Sequence, residues 1–380
     1  MKPTAERLYK FAQADFTVIG VRLLFVALSS AFCAFALAAE PVPLHTHEAI
    51  YQNPFDTAAG GASLTRATQD GALYANPSLS ALGRGFFRWF FARTAFHLGK
   101  DLADFGISSY KTGFKGADLA SIVSKAIKTP VFGGLDFTLG SLTRFGGVGV
   151  YSSTRFDLVA REFGSVGMPE FRIRGLGYVG LATSGAVDLS DHFSLGMAYR
   201  YQATGEVNKS LSLVDVAASP GTAVAALQQS LEYGFGHAVD LGATVQTRSR
   251  NVDFRVAGTI NDVGNTKFSG KVTPWKQTMS AGVGVTFHNR NSAMHCAVDR
   301  RDLTAVYGEH WTRRTYAGCK LLVDQRVGVA AGLYQGWPSY GFVLSALFIR
   351  LEGGVYTKEM GAQVGTDPRK VYFVALGTEI

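Results

Sequence analysis

The sequence predicts an all-β fold, a 14-stranded antiparallel transmembrane β-barrel with short helices in its extracellular loops. Three observations predict it: period-two strands long enough to cross a bilayer, connections that alternate between short and long, and an amphipathic strand at the C-terminus.

Composition sets the frame. The chain has 380 residues, 44 of them Gly, with 12% aromatic and only 17% charged residues. Hydrophobic residues make up 47%, which argues against disorder, yet the mean hydropathy is near neutral, unlike a polytopic helical membrane protein. A membrane barrel fits, because only one face of each strand meets lipid. The net charge of +8 is spread without a Lys/Arg block, so no nucleic-acid footprint is expected.

The N-terminus reads as an export signal. A basic stretch ends at Arg22, an apolar run follows to Ala39, and Ala36-Leu37-Ala38 supplies small residues for cleavage. Residues 1–38 are therefore expected to be a signal peptide, with a retained anchor as the alternative. Bulky Phe32 before Cys33 disfavours lipoprotein processing. Residues 39–83 are rich in Ala, Gly, Ser and Thr, and strands are expected over 84–380.

The clearest strands alternate almost without fault. Phe193, Leu195, Met197, Tyr199 and Tyr201 oppose Ser194, Gly196, Ala198, Arg200 and Gln202, and segments 239–248, 253–261 and 278–287 repeat the pattern. The expected strands are 84–98, 131–142, 145–160, 170–187, 193–205, 236–248, 252–263, 276–287, 293–301, 314–323, 326–336, 339–346, 348–358 and 369–380. Many reach the ~9–11 residues that a tilted strand needs to cross a bilayer. Short links are expected after the even-numbered strands and longer ones after the odd, except at Trp337-Pro338 between strands 11 and 12. Such alternation places short turns in the periplasm and long loops outside, 207–233 among them. Two loops look partly helical, 117–128 and 211–231. The last strand sets Tyr372, Val374 and Leu376 against Phe373, Ala375 and Gly377, and would close the wall against strand 1.

Motifs add a resemblance. Gly60-Gly61-Ala62-Ser63, Asp70 and the run around Asn76, Pro77 and Ser78 resemble the N-terminal plug motif of FadL-type barrels, which commonly reads Asn-Pro-Ala-Gly-Leu. Asn261 to Phe268 and Gly354 to Gly361 are similar to motifs of PorV-like relatives, and the overall character is similar to an uncharacterised spirochaete family of FadL-like outer-membrane proteins. Ser78 and Ser80 depart from the usual plug residues, and Ile380 replaces the usual terminal aromatic. The resemblance implies a 14-stranded barrel in the outer membrane, a plug within 39–83, and passive uptake of hydrophobic or amphipathic molecules such as long-chain fatty acids. PorV-like relatives imply instead an accessory that docks exported proteins. The expected surroundings are outer-membrane lipid and a hydrophobic small-molecule ligand.

No nucleophile, base or metal-ligand spacing stands out, so no enzyme activity, cofactor or metal is expected; His45 and His47 sit in a flexible-looking stretch. The candidate ligand contacts are polar residues on the non-lipid face: Arg155, Asp157, Arg200, Asp240, Arg255, Asp299, Lys320, Arg350 and Glu352, together with Arg248, Asp253, His295 and Lys358. Mixed signs on neighbouring strands are compatible with ion pairs that hold wall and plug, or with a ligand head group. Tyr151, Tyr334, Tyr356 and Phe373 interrupt that polar face, as apolar ligand contacts or as aromatic fill. Strand 1 is aromatic on both faces, from Phe86 to Phe91. Cys296 and Cys319 fall nearly opposite on consecutive strands, as a disulfide or as two small lipid-facing hydrophobes.

Overall fold

The computed structural model describes residues 45–46, 48, 50–66, 68–82, 90–100, 102, 130–143, 145–161, 170–212, 226 and 228–379. The expected signal peptide, the 117–128 helix, Phe86, Phe87, Trp89, His47 and Ile380 lie outside them.

Three short helices come first: α1 (Pro54–Ala58), α2 (Gln69–Tyr74) and α3 (Leu79–Leu82). Fourteen strands follow: β1 (Phe91–Gly99), β2 (Val131–Thr143), β3 (Gly146–Arg161), β4 (Glu170–Ser190), β5 (Phe193–Ser212), β6 (Glu232–Arg248) and β7 (Val252–Asn261), then β8 (Thr278–His288), β9 (Ser292–Arg300), β10 (Thr315–Val323), β11 (Val327–Tyr334), β12 (Trp337–Ala346), β13 (Ile349–Glu359) and β14 (Pro368–Glu379). Each pairs antiparallel with its sequence neighbours, and β1 pairs with β14 from Phe91↔Glu379 to Gly99↔Val371, so the sheet closes on itself. Closure leaves no open edge.

Side chains alternate as the sequence requires. On β5, Leu195, Met197, Tyr199 and Tyr201 are exposed, while Ser194, Arg200 and Gln202 are buried. The outer wall is a belt of Leu, Val and Phe; the inner wall is polar, aromatic or glycine. Phe96 and Phe91 show the two faces of the first strand, one exposed and one buried.

Most strand ends fall within about three residues of expectation, and the larger differences are instructive. The first strand starts at Phe91 rather than 84, with 83–89 outside the described residues. β5 continues to Ser212, paired with Glu170 across the sheet, and β6 begins at Glu232, so the ends of the expected loop 207–233 are strand. Of the expected 211–231 helix, 213–225 and 227 lie outside the described residues, 211 and 212 belong to β5, and the described end is helical, with the Ser230 N–H bonded to the Ala226 carbonyl at 3.1 Å. The β11–β12 turn is Gln335-Gly336, not Trp337-Pro338. Both turn residues have positive φ, 52° and 84°, and Trp337 and Pro338 already pair with Tyr334 and Leu333.

Cys296 and Cys319 face each other in register and are disulfide-bonded, on the outward side beside Met294 and Val298.

Candidate functional site

The N-terminal segment runs through the interior of the wall. At the end carrying the longer links, His45 stacks on Trp275 with ring centroids 3.6 Å apart and meets Tyr307 edge-on. At the end carrying the short turns, the Leu82 carbonyl accepts from Arg248 Nη2 at 2.7 Å. Between these points nearly every described residue is buried.

Charges hold the first half. Glu48 accepts from Arg155 Nη1 at 2.7 Å, Lys358 Nζ at 2.8 Å, Gln335 Nε2 at 2.6 Å and the Tyr334 hydroxyl at 3.2 Å. Asp56 lies in the first turn of α1, capped by Asn53, and pairs with Arg66 at 2.6 Å and Lys320 at 3.1 Å. Burial opposes ionisation of Asp56, but the two cations outweigh it and hold the carboxyl well below the usual aspartate range. Burial, reinforced by Arg200, pushes His45 down to about 3, so its imidazole is neutral near pH 7.

Backbone groups of the segment are also satisfied by the wall. Asp299 accepts from the Ser63 and Leu64 N–H groups at 2.6 and 2.9 Å. Arg301 Nη2 donates to the Gly61 carbonyl at 2.8 Å, and Arg255 Nη1 to that of Thr65 at 3.3 Å. An irregular chain buried away from water needs such partners.

Close packing holds the rest. A Cβ on Gly332 would lie 2.6 Å from the Gly60 nitrogen, and one on Gly318 would lie 2.5 Å from the Ala59 carbonyl oxygen. Only glycine lets the wall and the segment approach so closely. The Asn76-Pro77-Ser78 motif rests on two more inward glycines, Gly196 and Gly242. Asn76 Nδ2 donates to the Leu64 carbonyl at 2.8 Å and to Thr244 Oγ1 at 3.0 Å, and Ser78 Oγ lies 2.7 Å from the same Thr244 oxygen. Ser78 therefore contributes a hydroxyl contact that the common motif residue, Ala, would lack. Asp70 pairs with Arg93 and accepts from Asn53 Nδ2 at 2.8 Å.

A second charge system is complete within the wall. Arg200 donates to Asp240 at 2.6 and 2.9 Å, to Asp262 at 2.9 Å and to Gln202 Oε1 at 3.1 Å. Asp262 begins the Asp-Val-Gly-x-Thr-x-Phe stretch: it accepts from Thr266 Oγ1 at 2.6 Å, and Phe268 packs on Trp275. Asp157 accepts from Arg174 at 2.5 Å and Arg369 at 3.0 Å. Arg350 donates to Glu352 at 2.6 Å, which also pairs with Arg93 at 3.5 Å.

The sequence-derived candidates thus share the interior, but they do not converge on one point. Tyr334, Tyr356 and Phe373 form a run of ring contacts, and Tyr151 packs on Tyr74 of α2. Sequence reasoning missed the segment's own charges, Glu48, Asp56 and Arg66, and the wall residues Arg93, Arg174, Arg301 and Arg369. The available signal was the presence of acids and a base in an otherwise small-residue stretch. Among the described residues no group of three or more His, Cys, Asp or Glu is placed to hold a metal ion.

A closed antiparallel wall, apolar outside, with its own N-terminal segment bonded along the inside, defines the class as a β-barrel with an internally packed N-terminus. No family model matches the chain, and no curated protein matches it in sequence. Among solved structures it is similar to the toluene transporter TodX of P. putida, at 9% identity and a TM-score of 0.50, covering 86% of this chain and 98% of that one. It is also similar to the toluene transporter TbuX of Ralstonia pickettii, at 13% identity with the same coverage and TM-score. At these identities the likeness is one of fold.

Proposed function

We propose that this chain is an outer-membrane channel for passive uptake of hydrophobic or amphipathic small molecules, long-chain fatty acids among them. On this reading residues 1–38 are the export signal, 39–83 hold the plug, and 84–380 form the wall. The observation that carries the proposal is the continuous apolar outer belt on a closed 14-strand wall, in a fold common to the two toluene transporters. A belt of that extent exposed to water would drive association, whereas lipid satisfies it. The lumen lining offers tyrosine rings for an apolar tail and cations such as Arg155 and Lys358 for an anionic head. The segment runs through the lumen, so passage requires it to shift, and the bonds from its Glu48 and Asp56 to Arg155, Lys358 and Lys320 of the wall set the resistance.

Liposomes containing the purified protein are expected to take up oleate several-fold faster than empty liposomes, read by an entrapped fatty-acid sensor. Equal rates would overturn the channel reading. The tightly bonded lumen favours one alternative, a PorV-like role in docking exported proteins at the outer ends of the strands. Equal uptake together with stoichiometric protein partners recovered from the native membrane would select it.

A further inference from the structure

The end of the barrel that carries the short turns has a basic sector. Three consecutive turns there each present one exposed arginine: Arg250 between β6 and β7, Arg290 between β8 and β9, and Arg326 between β10 and β11. None of the three side chains has an ion-pair or hydrogen-bond partner among the described residues. The three turns hold a single acid, Asp324. Other short turns differ: Phe145 between β2 and β3 and Leu347 between β12 and β13 are 77% and 97% exposed. The exposed lysines, Lys267, Lys271, Lys276 and Lys370 among them, lie at the opposite end.

The belt fixes the depth of these arginines. β11 is the shortest of the fourteen strands, and its outward residues run from Val327 to Leu333, ~20 Å along the strand. A lipid-facing band is ~25 Å tall, so all of β11 is needed and Val327 must lie at the edge of the band. Arg326 directly precedes it. Arg290 follows outward Phe287 by three residues, and Arg250 precedes Val252 by two, strand rises of at most ~10 Å. The polar layer on each side of a bilayer is about 5–8 Å deep, so with the strands tilted all three turns fall at head-group depth. The turns also form one connected surface. The His288 N–H donates to the Asn251 carbonyl at 2.8 Å, that of Asp324 to Asn291 at 2.7 Å, and that of Ser345 to Arg326 at 2.6 Å. Successive arginines stand two strands apart, ~10 Å.

We infer that this sector binds the phosphates of anionic phospholipids in the leaflet on the short-turn side, one head group to each arginine. An unpaired cation at that depth is drawn to an anionic surface, an effect of about fivefold in binding per residue. Guanidinium forks onto two phosphate oxygens at once, whereas a lysine presents a point charge. A general attraction to the membrane would be served by either residue; three unpaired arginines at one depth, on turns bonded into a single surface, fit phosphate. The sector selects phosphatidylglycerol over phosphatidylethanolamine, whose own amine offsets its phosphate. This inference rests on the membrane reading above but not on uptake.

The test is native mass spectrometry of the purified full chain, equilibrated in detergent with equal amounts of phosphatidylglycerol and phosphatidylethanolamine. Phosphatidylglycerol adducts are expected to exceed phosphatidylethanolamine adducts about fivefold. Arg250→Gln, Arg290→Gln and Arg326→Gln together should bring that ratio close to one. Lys267→Gln, Lys271→Gln and Lys276→Gln, at the opposite end, should leave it unchanged. Equal adducts on the wild type, an undiminished ratio in the arginine variant, or the same fall in both variants would overturn the site while leaving the membrane reading intact. Adducts of neither lipid would also overturn the site, and a protein that in addition stays monodisperse without detergent would overturn both. The wild-type ratio decides the matter even if a variant does not fold.

Discussion

Two charge systems occupy the same lumen and differ in what completes them. Arg200, Asp240 and Asp262 close on one another, joining β5, β6 and the β7–β8 link. Arg155 and Lys358 meet on Glu48, and Lys320 meets Arg66 on Asp56, so these cations depend on the N-terminal segment. The difference teaches where the wall is self-sufficient. On the β5–β7 side it balances its own buried charge. Where β10, β13 and β3 reach inward, it is balanced only with the segment in place.

The largest expected effect is loss of one partner from a buried pair, ~3–5 kcal/mol. Asp56→Asn should lower stability by that amount in urea titrations followed by the gel mobility of the folded barrel. It should also speed amide exchange over 50–66. Arg200→Met should cost a similar amount but leave exchange in the segment at its wild-type rate; faster exchange there would erase the distinction between the two systems.

Acid provides the same test without mutation. The folded Asp56 carboxyl titrates below its unfolded value of about 3.9, so its contribution is complete above that pH and is lost as pH falls below it. Protection of the segment should therefore fall in that acid range, and Asp56→Asn should flatten the dependence.

Packing comes next. Gly332→Val forces a side chain into the α1–wall contact and should cost ~1–3 kcal/mol, with exchange rising in 58–62. Asn76→Ala removes two donated bonds and leaves the buried Leu64 carbonyl short of a partner, ~1–2 kcal/mol by the same unfolding measurement. A smaller loss for Gly332→Val than for Asn76→Ala would mean that hydrogen bonds, not close approach, fix the segment.

The wall was legible in the sequence because lipid-facing and inward residues must alternate, and β5 to β8 do so with few faults. The errors fall where that signal stops. Asn208, Lys209 and Ser210 alternate nothing apolar, yet the backbone ladder of β4 and β5 carries them as strand to Ser212. Pro338 reads as a turn, but it sits near the start of β12, where a missing N–H is tolerated. Many lumen charges of the wall were legible because each interrupts a strand's inner face, although Arg93, Arg174, Arg301 and Arg369 were passed over. Their partners were not: Glu48, Asp56 and Arg66 lie on a segment with no period to read. The inward glycines were visible as small residues, but nothing in the strand pattern says that Gly318 and Gly332 take the backbone of Ala59 and Gly60.

One consequence concerns the order of assembly. The segment crosses the lumen from mouth to mouth, from His45 beside Trp275 to Leu82 beside Arg248. The seam that shuts the ring is β1 against β14, strands from opposite ends of the sequence. A ring shut first would enclose Lys320, Lys358 and Arg155 without counterions, and a polar cord would then have to be drawn through it end-on. Zipping the seam around a segment already laid against the sheet avoids that penalty, which makes the N-terminal stretch a mandrel for its own barrel.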